Sequence, residues 1–452
     1  MIAYNYPPLA GMGMLRNLKF AKYLPDFGWK PIILTVSTSI LRHVKSPYWF
    51  CDESEGKLPH VDIIRTKFFS INLLTRHINN FITRANDIKN NNYFQTNNVD
   101  KSKNIIKNFI VSIYNSWIMF PDNTIDWYPF AVKSSLDYIN NNDVDLLFST
   151  SLPVTSHIIA NTISKKTGIP WVADFRDLWS DSHYDDKGTL RKRMDRLIET
   201  KVINGADALT TVSEPLKQQL LRRHFKFKDK IFVIYNGYDP EDYSPREIDS
   251  PALFNITFTG RMYDIDFQRK GRTPELLFQA LKQLHKEGRI DLNKVKVNIY
   301  GEYPSGLYEL ISKYQLQDSV RCLGAVSFRE SIAAQQHATI LLLLNWADSD
   351  YKGIVTGKIF EYLGARNPIL AIPFSNRSVD IILNKTKAGI TVTGLDSLKS
   401  QVSKWYQQYI DKGKVTYTGI TNEIEKFSRK ETADNLSLIF EEVLHNIKSE
   451  TV

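Results

Sequence analysis

Twice along the chain, short apolar runs of strand length alternate with amphipathic stretches of helix length. That alternation is the signature of repeated βα units around parallel sheets, so the fold class expected is α/β. In the first series the runs are Ile2 to Asn5, Lys30 to Val36, Val61 to Arg65, Val144 to Ser149, Trp171 to Ala173, Ala208 to Val212 and Lys230 to Tyr235. The second series holds Asn255 to Thr259, Lys296 to Tyr300, Val320 to Leu323, Ile340 to Leu344 and Ile369 to Ile372. Between them YNGYDPEDYSPREIDSP, residues 235–251, gathers three prolines and many acidic or polar residues and reads as a linker. The expected division is a domain at 1–236, a linker at 237–251, a domain at 252–425, and a terminal helical segment at 426–452 packing back on the first domain. Two α/β domains facing each other across a central cleft are expected, with ligands gathering beyond the carboxyl ends of the strands.

A chain of 452 residues has room for two or three domains at about 150 residues each. Its 42% hydrophobic and 24% charged residues match a folded, water-soluble protein and exclude the disordered and multi-span membrane classes. The two cysteines, Cys51 and Cys322, are far apart and share no motif. Neither a disulfide framework nor a cysteine metal site is expected, and a reducing, cytoplasmic setting fits best. The formal charge of +9 points to an anionic partner, such as a nucleotide or a lipid surface. No nucleic-acid module or aromatic-basic interleaving occurs, so nucleic acid is not an expected partner. No signal peptide is read at the N-terminus. The longest strongly apolar run, Ile340 to Leu344, falls far short of the roughly 20 residues that span a bilayer. Residues 61–120 carry eight Lys or Arg against three Asp, with Leu74, Ile78, Phe81 and Ile82 at helical spacing. Such a basic amphipathic segment can lie on an anionic membrane, and peripheral membrane contact through residues 65–120 is one expectation. A helix packed on its own sheet with its charges in water is the other.

Four segments hold residue types that can do chemistry. In YPPLAGMGMLRNLKFAKYL, Gly11 and Gly13 follow a short strand and precede a helix whose basic face begins at Arg16. Glycines there let backbone amides approach an anion, or merely make a tight turn. In FTGRMYDIDFQRKGRTPELLFQAL, Gly260 and Arg261 end a strand, and Arg269, Lys270 and Arg272 lead into a helix capped near Thr273 and Pro274. Cations gathered at a strand end and a helix start can cradle a diphosphate, the plain alternative being a solvated basic loop. In DYKGIVTGKIFEYLGARNPILAI, Gly357 precedes a short helix bearing Lys358 and Glu361. A carboxylate so placed can accept two hydrogen bonds from vicinal hydroxyls, as a ribose presents them, or serve only as a helix-start acid. In GIPWVADFRDLWSDSHYDD a strand at Trp171 to Ala173 ends in Asp174, Arg176 and Asp177, groups suited to sugar hydroxyls, to proton transfer or to an internal ion pair. Nearby His157 reads as a packed surface residue rather than a catalyst.

Taken in order, these segments resemble the retaining, nucleotide-sugar-dependent glycosyltransferases of family 4, with their two-domain GT-B fold of Rossmann-like domains. The likeness rests on YPPLAGMGMLRNLKFAKYL, PWVADFRDLW, ALTTVSEPL, VIYNGYDPEDY, FTGR with KG after it, and GKIFEYLGARNPILAI, and it covers nearly the whole chain. It is strongest toward members that build bacterial surface polysaccharides. The resemblance implies that Arg261 and Lys270 bind the donor diphosphate and act in catalysis, that Glu361 binds the nucleotide ribose, and that Gly11 and Gly13 face the donor phosphates. Gly260, Gly357 and Lys358 complete the donor site it implies, Asp174 is the catalytic residue by position, and Arg16, Arg176 and Asp177 meet the acceptor. It further implies a UDP- or GDP-sugar donor, a saccharide or polyprenyl-diphosphate-linked acceptor, and transfer with neither a metal ion nor another cofactor. Two departures stand out: Gly353 lies where the family commonly has the first of two glutamates, and Asp174 lies where it often has a histidine. A nucleotide-sugar epimerase of the same architecture, or a partner subunit without turnover, are the alternatives.

Overall fold

The computed structural model describes residues 1–9, 12–37, 58–68, 120–180, 189–244, 252–262, 273–345 and 355–450. By contacts the chain divides into two compact units, one of Met1–Thr211, Arg223–Phe232 and Leu436–Val452, the other of Val212–Arg222 and Val233–Asn435.

In the first unit the strands are β1 (Ile32–Val36), β2 (Asp62–Thr66), β3 (Leu147–Ser151), β4 (Trp171–Phe175), β5 (Ala208–Thr211) and β6 (Ile231–Val233). β1 pairs with β2, and β3 to β6 lie in sequence order. Ile2 forms parallel bridges to both Leu34 and Ser149, which joins the two groups. The stretch expected as a strand from Ile2 to Asn5 is thus reduced to a single bridging residue. Its place is nonetheless central: the order reads β2, β1, the Ile2 segment, β3, β4, β5, β6, with the reversal of direction beside Ile2. Phe440 of the terminal helix Arg429–Glu450 meets Trp29 and Phe148 edge-on, with centroids 5.0 Å and 5.7 Å away.

In the second unit the strands are β7 (Phe254–Thr259), β8 (Val295–Tyr300), β9 (Val320–Gly324), β10 (Ile340–Leu344), β11 (Ile369–Ile372) and β12 (Gly389–Thr391). All six run parallel in the order β12-β11-β10-β7-β8-β9. Counted from β7 as the first strand, this is the 3-2-1-4-5-6 order of nucleotide-binding sheets, with its switch point between β7 and β10. The run Ile340 to Leu344 shows why both faces must be covered. Ile340, Leu342 and Leu344 enter one apolar cluster with Phe254, Leu281 and Leu398, while Leu341 and Leu343 enter another with Ile359, Phe360 and Ile382. A strand whose successive side chains point to opposite sides and are all apolar fits only a sheet with helices on each face.

Candidate functional site

In the second unit the switch point collects the polar side chains. The carboxylate of Glu361 lies in the first turn of the helix Lys358–Ala365 and is almost fully buried. Its Oε2 receives Lys358 Nζ at 2.7 Å and Gln335 Nε2 at 2.9 Å. Its Oε1 meets no partner among the described residues and keeps both lone pairs. Gln335, on the helix Phe328–Gln336 that precedes β10, is fully buried and also donates to Thr259 Oγ1 at 2.9 Å. Tyr362 ties β7 to β10: its hydroxyl accepts from Thr259 N at 3.0 Å and donates to Leu342 O at 3.2 Å.

The strand ends here are built for close approach of backbone. Gly260 and Gly301 follow β7 and β8 with φ of 149° and 116°. A Cβ on Gly301 would lie 1.9 Å from Gly260 O, so only glycine lets these two chain ends touch. The side chain of Lys358 runs alongside, its Cε 3.7 Å from where a Cβ of Gly260 would stand. Gly357, Lys358 and Glu361 are therefore brought to Gly260. Arg261 follows directly, its Nε 2.8 Å from Glu302 Oε2, with both side chains about half exposed to solvent. Such a pair adds little stability and yields readily to a stronger anion. Gly11, Lys270 and Gly353 lie outside the described residues, as does nearly all of the basic segment 65–120.

In the first unit the acid expected at a cleft edge is interior. β4 runs past Ala173 to Phe175, and Asp174 pairs inside the sheet between Thr150 and Thr210. Its carboxylate is wholly buried and forms a bidentate pair with Arg16, both N···O distances 2.9 Å. It also accepts from Thr150 Oγ1 at 2.9 Å and Thr210 Oγ1 at 2.7 Å. Burial alone would push this carboxyl up, but the Arg16 guanidinium and these hydrogen bonds outweigh it and hold the group below its ordinary value. Asp174 and Arg16, expected to meet substrate, are paired with each other inside the first unit. Arg176 and Asp177 do stay toward the surface: Arg176 Nε lies 3.2 Å from Asp177 Oδ2, and the Arg176 guanidinium fills the space where a side chain on Gly13 would stand. His157 is fully buried rather than at the surface, bonded through Nδ1 to Ser149 Oγ at 2.7 Å and stacked on Phe175. Burial holds its imidazole down to about 3.

Gln335, Thr259, Gly301 and Tyr362 escaped the sequence reading. A glutamine among apolar residues in IAAQQHATILLLL was the available signal, since a buried amide must find partners. Among the described residues no group of three His, Cys, Asp or Glu is arranged to hold a metal ion, and no helix is long and apolar enough to cross a membrane.

Two units of parallel, nucleotide-binding strand order correspond to the GT-B fold, the fold of solved glycosyltransferases that this chain resembles. The family model described as Glycosyltransferase Family 4 matches residues 97–242. A glycosyltransferase from Rickettsia africae is similar over 98% of this chain and 97% of its own, with 17% identity and a TM-score of 0.58. HepE from Anabaena, solved in complex with UDP-glucose, is similar over 99% of each chain at 12% identity and a TM-score of 0.52. WaaG, a glycosyltransferase involved in lipopolysaccharide biosynthesis, is similar over 98% of this chain and 97% of its own at 13% identity and a TM-score of 0.51. At these identities the likeness is one of fold. No curated protein matches the chain in sequence.

Proposed function

We propose that the chain is a retaining, metal-independent glycosyltransferase that moves a sugar from a UDP-sugar to a saccharide or polyprenyl-diphosphate-linked acceptor in bacterial surface-polysaccharide synthesis. The observation that carries the donor reading is Glu361, whose Oε1 is left open beside Lys358 at the switch point of a nucleotide-binding sheet. A carboxylate oxygen with two unused lone pairs suits the vicinal hydroxyls of a ribose. The complex of HepE with UDP-glucose supports uracil over guanine, and the role of WaaG in lipopolysaccharide synthesis supports the acceptor class. In the reaction, Arg261 and Lys270 neutralise the charge that develops on the departing nucleoside diphosphate, which is where fixed cations lower a barrier most. The acceptor oxygen bonds to the anomeric carbon from the face the diphosphate leaves as the carbon–diphosphate bond breaks, the hydroxyl proton passes to the departing phosphate oxygen, and the configuration is kept. Arg176 and Asp177 are the acceptor-side groups. Peripheral contact with the inner membrane face through residues 65–120 would bring a lipid-linked acceptor within reach.

Thermal melting with UDP, GDP, ADP and CMP, each with and without Mg²⁺, tests this reading, because a ligand that binds only the folded state raises the melting temperature. A shift with UDP that needs no metal, and that Glu361→Ala and Arg261→Ala both lose, is the expected result. Absence of any shift in the unaltered protein would sink the donor assignment as a whole.

A further inference from the structure

Gln335 raises a question that packing does not answer. Its side chain is fully buried, yet its Oε1 has no hydrogen-bond partner among the described residues. A buried acceptor left unpaired is a standing cost that an apolar side chain of the same shape would remove. Turning the amide over would not help, because Oε1 would then face Glu361 Oε2, setting two acceptors against each other. The orientation is thus fixed by what Nε2 does: it donates to Glu361 Oε2 at 2.9 Å and Thr259 Oγ1 at 2.9 Å, with Ser331 Oγ at 3.3 Å.

We infer that Gln335 is a positioning residue that holds Oε2 of Glu361 so that Oε1 faces the ribose hydroxyls of the donor, an inference that rests on the ribose role proposed for Glu361. The two donors on Oε2 differ in kind. Lys358 sits three residues away on the same helix, and its side chain is about a quarter exposed. It is a flexible ammonium that an arriving diphosphate attracts. Gln335 comes from a different helix, has no water around it and carries no charge for a phosphate to compete for. When Lys358 turns to the phosphate, the amide alone keeps the carboxylate aimed. One side chain thereby lets Lys358 serve the phosphate and Glu361 the sugar of the same nucleotide.

Calorimetric titration with UDP and with its 2′,3′-dideoxy analogue tests this on the full-length protein. The unaltered protein is expected to prefer UDP by about tenfold or more, the range of a hydrogen bond to a charged group. Glu361→Ala should bring the two affinities together. Gln335→Met, which keeps the volume and removes the donor, should shrink the preference at least threefold while affinity for the analogue stays the same. A purely structural role would weaken both ligands alike. Gln335→Glu places a second carboxylate against Oε2, so one of the pair must take up a proton. Its preference for UDP should return as pH falls, a dependence that misfolding does not produce. Melting of each unliganded variant confirms that it is folded. If Glu361→Ala loses the preference and Gln335→Met keeps it, the positioning role is wrong and the ribose reading stands. If the unaltered protein shows no preference, or does not bind UDP, both fall together.

Discussion

Asp174 in the first unit and Glu361 in the second are both buried carboxylates beside the carboxyl end of a parallel strand, and both are paired with a cation. They differ in what remains. Asp174 has Arg16, Thr150 and Thr210 on its two oxygens, with nothing left to offer. Glu361 has both of its donors on one oxygen and, among the described residues, none on the other. Position in the fold therefore does not separate a saturated acid from one with an oxygen to spare; the count of hydrogen-bond partners does.

That contrast can be broken by substitution, and the largest effect should come from the saturated site. Asp174→Ala removes the carboxylate that pairs with a buried guanidinium and should cost about 3–5 kcal/mol in urea denaturation. A loss below about 1 kcal/mol would mean that the other groups around Arg16 suffice to hold its charge. Next comes acidity. His157 is held to about 3, against about 6.5 for an unfolded histidine, so between those values only the unfolded chain takes up the proton. Stability should be complete above about pH 6.5 and fall below it by up to about 1.4 kcal/mol per unit. Asp174 adds to the loss only at still lower pH, because its carboxyl is held below the ordinary value. His157→Phe should flatten the slope between about pH 6.5 and 4.5, and an unchanged slope would place its origin in another group.

The open site should show the reverse pattern, with small changes in stability and larger ones in binding. Glu361→Ala is expected to weaken UDP by about 1.5–3 kcal/mol, the range for a hydrogen bond to a charged group, with urea stability changed by less than about 1 kcal/mol. Arg261→Ala should be the mildest for stability, at about 0.5 kcal/mol or less, since its pair with Glu302 is exposed on both sides. If either variant unfolds the protein as Asp174→Ala does, the distinction between the two sites fails.

Much of the architecture was open to reading, because periodicity is a local signal. The runs at Lys296 to Tyr300, Ile340 to Leu344 and Ile369 to Ile372 became strands within a residue of where the apolar pattern put them. β12 at Gly389–Thr391 was missed, since three residues with a glycine among them carry little pattern. The gathering of Gly260, Gly357, Lys358 and Glu361 was legible in outline. Where Asp174 sits was not. Ending the strand at Ala173 put the acid in a loop, whereas pairing with Ser151 and Thr211 carries the strand to Phe175. The partners that neutralise it stand 158, 24 and 36 residues away in the chain. Gln335 lies 26 residues from Glu361 on a different helix. Contacts of that reach are set by topology, which no short window of sequence displays.

The phenol of Tyr362 has a consequence of a different kind. β10 and β7 share only the register pairs Ile340 with Ile256 and Leu341 with Thr257, although each strand runs further. Past that point the hydroxyl of Tyr362 stands in for the missing peptide rungs, meeting Thr259 N on one strand and Leu342 O on the other. At this end, at the floor of the site, the seam is bridged by one aromatic side chain rather than by the backbone ladder. Floor and rim share a single helix, since Tyr362 and Glu361 are neighbours in sequence. The spacing of the two strand ends can therefore be altered at one residue, without redrawing the sheet.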